Sequence, residues 1–147
     1  MTVGQLDAEL SGLLENLSPA ARKKLASDMA RDLRRSQQQR IAAQKNPDGS
    51  VFNPRKPQIR EQSGRVRRAM FVKLRQARWL KTEATADGVA VSFLDRVDRI
   101  AGVHQFGLRD QVRPGGPVVR YPARQLLGFT DADEKRITDS VLAWLAS

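Results

Sequence analysis

Residues 104–129, HQFGLRDQVRPGGPVVRYPARQLLGF, constrain the fold more than any other part of the chain. Prolines at 114, 117 and 122 and glycines at 107, 115, 116 and 128 rule out one continuous helix or strand. Phenylalanine, leucine, tyrosine and valine recur through the same stretch, which makes it too apolar for a free linker. A segment of this composition packs at both ends and leaves its middle outside. Gly115-Gly116 sits between two prolines, with neither a helix start nor a Lys-Ser/Thr pair after it, so it is not a phosphate-cradling loop.

The elements around it follow from spacing. Val3, Leu6, Leu10, Leu13, Leu14 and Leu17 recur at three- and four-residue steps and predict a helix over 3–17, with Thr2 and Gln5 in capping-box register. A longer helix is expected over 19–45: Ser18 suits the N-cap, Pro19 the first turn, and Ala21, Leu25, Met29 and Leu33 form one stripe. Asn46-Pro47 should stop it. Residues 46–64 read as a loop anchored by Phe52. Residues 65–94 read as strands, with runs at 70–74 and 80–85 and a hairpin signal at Ala86-Asp87-Gly88 before Val89–Phe93; the basic residues of 65–78 would equally line a helix. A short helix over 95–106 ends at Gly107, 118–129 continues extended, and a helix over 131–146 starts on Thr130 with Asp133 at the third position. The class is α+β: helices packed on a small, mostly antiparallel sheet, with long extended loops, in a single domain of 147 residues.

Charge is unevenly placed. The chain carries +10 overall, but residues 20–81 alone hold 18 of the 26 Lys and Arg against four acids. Residues 1–19 are acidic (Asp7, Glu9, Glu15), and 82–147 are near balance. Such a field favours an anionic partner, nucleic acid or an acidic protein surface. Arg55, Lys56, Arg60, Arg65, Arg67, Arg68, Lys73, Arg75, Arg78 and Lys81 offer phosphate contacts, and Phe71 and Trp79 lie among them. The reading that spacing favours for the same run is a solvated face or a surface meeting an acidic partner, since no zinc-finger spacing, RNP pattern or convincing helix-turn-helix accompanies it.

Chemistry is poorly represented. There is no cysteine, hence no disulfide, thiolate metal site or cysteine nucleophile, which fits a reducing compartment. His104 is the only histidine, and no nucleophile or orienting carboxylate is signposted for it; a packed or capping role is expected. No ligand spacing suggests a metal, and Asp95, Asp98, Asp131 and Asp133 are helix-start acids. Trp144 shares a helical face with Ile137 and Val141 and belongs to a core. The N-terminal residues lack the basic start and apolar run of a signal peptide, and no stretch reaches about 20 apolar residues, so a soluble protein made in the cytoplasm is expected.

Three stretches carry a family pattern. The first is RRSQQQRI at 34–41, running into NPDGS at 46–50 and then Phe52, Pro54, Arg55 and Lys56; the second is Met70-Phe71, then Lys73-Leu74-Arg75. The third is VHQFGL at 103–108, followed by YPAR at 121–124 and LLGF at 126–129. In this order and spacing they resemble the virion morphogenesis (tail completion) proteins of contractile-tailed bacteriophages. Gln125 departs from the pattern, which commonly has proline there.

The resemblance implies a structural protein with no catalytic activity and no cofactor. It would act late in assembly at the head-proximal end of the tail tube, capping it and enabling head–tail joining. It would form a ring of copies, a hexamer among the possible closures, and meet tail-tube and head–tail connector proteins in the virion, with no membrane. On that reading the arms 46–64 and 108–120 reach neighbours through Phe52, Arg55, Lys56, Phe106, Arg109, Arg113 and Arg124. Arg65, Arg67, Arg68, Arg75 and Arg78 would face an anion, including non-specific contact with DNA. The competing expectation is a stand-alone basic nucleic-acid-binding module.

Overall fold

Ser18 opens the first described helix, α1 (Pro19–Ala42): its Oγ accepts the Ala21 N–H at 3.1 Å, the expected N-cap. The computed structural model describes residues 18–55, 69–112 and 114–146. The helix expected over 3–17 and the stretch 56–68 lie outside the described residues. Helix α1 ends three residues before the expected 45, and not through Pro47. Gln44 takes a left-handed conformation (φ 59°), donating its N–H to Ile41 O at 2.9 Å while Lys45 N–H reaches Arg40 O at 3.2 Å. This is a Schellman ending with glutamine where glycine is usual.

The remaining elements are β1 (Leu80–Ala84), β2 (Val89–Phe93), α2 (Asp95–Phe106), β3 (Arg109–Gln111), β4 (Val118–Arg120) and α3 (Asp131–Ala146). Strands β1 and β2 form one two-stranded sheet and β3 and β4 another, both antiparallel, so the α+β class holds. Thr85 closes the first hairpin: its N–H bonds Gly88 O at 2.9 Å and its Oγ1 accepts from the N–H groups of Asp87 and Gly88. The second pairs Arg109 with Arg120 and Gln111 with Val118. The strand expected at 70–74 is instead a run of turns. Phe71 has φ 66°, Arg75 N–H returns to Phe71 O, and Trp79 N–H to Gln76 O. A short apolar run without clean alternation does not specify extended backbone.

The chain divides into two compact units. One comprises the chain up to Ser36, 81–91 and 129 onward. Its core is Leu25, Leu33, Ile137 and Val141, with Met29, Val89, Val91, Trp144 and Leu145 packed against it. The expected stripes of α1 and α3 therefore face one another through leucine and β-branched side chains. The other unit comprises 37–80 and 92–128. It buries Ile41, Phe52, Met70, Leu80, Phe93, Ala101, Val103 and Leu126.

Gly107 ends α2 as expected, with φ 66° and its N–H on Val103 O. A Cβ there would stand 2.9 Å from Ala123 N and 3.2 Å from Tyr121 O, both backbone atoms. Gly107→Ala should therefore cost about 2–3 kcal/mol, combining left-handed strain with a backbone shift. Gly115→Ala is the control. It also has positive φ (73°) but nothing within 4 Å, so it bears only the conformational term of about 1 kcal/mol. Thermal unfolding of the two variants checks this, and equal losses would contradict it.

Candidate binding cleft

Residues 45–52 form a small closed loop. Lys45 bridges Val51, Asn46 N–H bonds Ser50 O at 2.8 Å, and Asp48 Oδ1 accepts Ser50 N–H at 2.8 Å. Asp48 and Gly49 supply the turn, with Gly49 at φ 90°. The loop delivers Phe52 to the interior, where it is 2% exposed, and Phe52 N–H bonds Gln44 O at 2.7 Å.

From Phe52 a ladder of rings runs across four separate chain segments. Phe52 meets Phe71 edge-on at 5.7 Å, Phe71 meets His104 at 4.9 Å, and His104 meets Tyr121 at 4.9 Å. Tilted ring pairs at these separations place the positive edge of one ring on the face of the next. The ladder lets Phe71 adopt its left-handed backbone, because its ring is held on both sides.

The extended segment 121–128 lacks a strand partner over most of its length, and side chains take the partner's place. Gln105 Oε1 accepts the N–H groups of Leu126 (2.8 Å) and Leu127 (2.9 Å), and its Nε2 donates to Leu127 O. Asn46 Oδ1 accepts Gln125 N–H at 2.9 Å, and Gln37 Oε1 accepts Gly128 N–H at 3.1 Å. Arg40 donates to Gln125 O, Leu126 O and Lys45 O. Arg124, 5% exposed, donates to Asn53 O at 2.7 Å and Pro54 O at 3.2 Å, which ties the 52–55 loop to this segment. Burial first, then the nearby Arg55 charge, lowers the Arg124 pKa.

Together these parts enclose a cleft of about 1120 Å³. Phe71, His104 and Tyr121 line it, with Met70 and Val119 beside them and Arg55, Lys73, Arg120 and Arg124 supplying charge. Among the described residues no Asp or Glu lines it. The nearby Asp110 carboxylate is held by Arg99 at 2.9 Å. His104 is kept neutral: burial, then the Arg124 and Arg55 charges, push its pKa below the ordinary value, against a smaller opposing effect of Asp110. Its Nδ1 is buried with no hydrogen-bond partner. The His104 ring packs between those of Phe71 and Tyr121, the packed placement expected of it.

The candidate contact residues divide. Arg55 and Arg109 are exposed, as is Phe106 at 71%. Phe52 and Arg124 are interior, so any contact role for them runs through the loops they hold. Lys56, Arg65, Arg67, Arg68 and Arg113 lie outside the described residues. Arg75 is half-buried, and Arg78 stacks on Trp79 at 4.7 Å. Spacing alone did not single out Tyr121 or Phe71 as cleft residues, since the ladder joins four segments far apart in sequence.

The family model of the phage virion morphogenesis family matches residues 1–146. Tail completion protein S of Escherichia phage P2 is 43% identical to the chain over 143 residues, covering 96% of this chain and 95% of that protein. No solved structure gives a significant match. Neither match supports a stand-alone nucleic-acid-binding module. An end-to-end family match and this degree of identity lead to one conclusion: the chain belongs to the phage virion morphogenesis family.

Proposed function

We propose that this chain completes the tail of a phage or prophage particle. The observation that carries the reading is the near full-length 43% identity to a protein named for tail completion. On this reading the chain caps the head-proximal end of the tail tube and makes the tail competent to join a head. It does so as a ring of copies, with sixfold closure matching a sixfold tail. Its partners are tail-tube and connector proteins, its place is the virion after synthesis in the host cytoplasm, and its role is structural, without catalysis.

The arms supply the contacts. Arg55, Phe106 and Arg109 stand exposed for them, Phe52 and Arg124 hold the loops in place, and Lys56 and Arg113 are further candidates by their place in the sequence. The basic residues Arg65, Arg67, Arg68, Arg75 and Arg78 suit a surface past which DNA travels, by non-specific attraction. The test is deletion of the gene from its own phage or prophage, followed by electron microscopy and infectivity. Full heads and finished-length tails should accumulate unjoined, and the supplied wild-type chain should restore infectious particles. Normal infectivity without the gene, or loss of tails altogether, would overturn the reading.

A further inference from the structure

We infer that the cleft is the socket of a head-to-tail contact between copies, and that its occupant is the acidic, leucine-striped segment 1–17 of a second copy. The inference rests on the ring reading above and names the contact that builds the ring.

Two halves of a complementary pair are present in one chain. The socket has an apolar, aromatic floor of Phe71, His104 and Tyr121 and a rim of Arg55, Lys73 and Arg120, with no carboxylate among its described lining residues. The three rim cations are all exposed, so they are accessible to an incoming chain. The segment has the opposite character: Leu6, Leu10, Leu13, Leu14 and Leu17 at helical spacing, with Asp7, Glu9 and Glu15 and no basic side chain. A leucine stripe of this kind needs an apolar surface to cover it, and acidic flanks favour one rimmed by cations.

The ring reading favours a second copy over the same one: a subunit that closes a ring must offer a plug and a socket to its two neighbours. A socket and a plug on different surfaces of one chain make a heterologous contact, the kind that closes into rings.

The experiment is a charge swap in the full chain, read by light scattering over a concentration series at moderate salt. Variant one is Arg55→Glu with Arg120→Glu, and variant two is Asp7→Lys with Glu9→Lys. Wild type should self-associate, and each variant alone should do so about tenfold more weakly or worse, because attraction becomes repulsion. An equimolar mixture should recover association, since each variant then offers the half the other matches. Matching circular dichroism and melting temperatures confirm that the variants are folded.

A mixture no better than the variants alone overturns the inference, as does a wild type that stays monomeric at every concentration. Restoration only when all four changes sit in one chain would assign the segment to its own cleft and equally overturn it. Infectivity complementation separates this from the functional reading. Variants that cannot associate yet still restore infectious particles sink the socket and leave tail completion standing.

Discussion

Arg40→Met should remove about 4 kcal/mol of folding stability, far more than an ordinary substitution on a helix. Arg40 is 8% exposed and donates to four acceptors: Lys45 O at 2.9 Å, Gln125 O at 2.8 Å, Gln37 Oε1 at 2.7 Å and Leu126 O at 2.7 Å. Methionine keeps much of the stem's volume and supplies none of the donors. Gln37 Oε1 keeps the Gly128 N–H, but the three backbone carbonyls lose this donor, each at about 1–3 kcal/mol, part of which relaxation and water recover. Arg40→Lys should restore less than half. A lysine ammonium is a point charge and cannot spread the planar fork across the helix end and the 125–126 backbone at once. Urea unfolding of the three proteins checks this. A loss under 1 kcal/mol for the methionine variant would mean that the four bonds merely replace equivalent bonds to water.

The Arg40 site also marks where sequence reading stopped. Elements whose determinants are local were legible. Thr130 with Asp133, Ser18 with Pro19, Gly107, and the turn before Gly88 each act within four residues, and each lies where expected. What was not legible depends on long-range bonds from side chains to backbone. Gln44 takes both backbone groups of Met70, its Oε1 accepting the N–H at 2.8 Å and its Nε2 donating to the carbonyl at 2.9 Å. That satisfies the peptide as a strand neighbour would, so 70–74 can turn where a strand was expected. Gln105 and Gln37 do the same for 126–128. A glutamine on a helix gives no sign in the sequence of which distant peptide it will hold. The cleft was partly legible for the same reason. The loop and the 121–129 segment were identified as special by composition, but the rings of Phe71, His104 and Tyr121 meet only after those long-range ties have formed.

Asp133→Ala should cost about 3 kcal/mol, the second large effect, in the unit that contains α3. The carboxylate is fully buried, yet it is satisfied on every side. One oxygen accepts from Ser36 Oγ and from the Arg136 guanidinium, which also pairs with Asp32 at 3.0 Å. The other accepts Thr130 N–H at 3.0 Å, while Thr130 Oγ1 accepts Asp133 N–H at 3.0 Å. Alanine removes half of the capping box and takes the acceptor from the half-buried Ser36 hydroxyl and Thr130 N–H. Thr130→Ala, which removes one capping bond and leaves the carboxylate, should cost only about 1 kcal/mol.

Acidity separates charge from shape at this position. Burial pushes the Asp133 carboxyl up, but the Ser36 and Thr130 hydrogen bonds and the Arg136 charge outweigh it and hold the pKa below the ordinary value of 3.8. A carboxyl with a lowered folded pKa contributes stability above its unfolded pKa and loses it as pH falls through the folded one. Asp133→Asn keeps the shape and cannot titrate. Its deficit against wild type should therefore be constant from pH 7 to about pH 5 and narrow as the pH falls below 4, measured by urea unfolding at each pH. A deficit that stays constant down to pH 3 would place the whole effect in packing and hydrogen-bond geometry, with nothing owed to the charge that Arg136 faces.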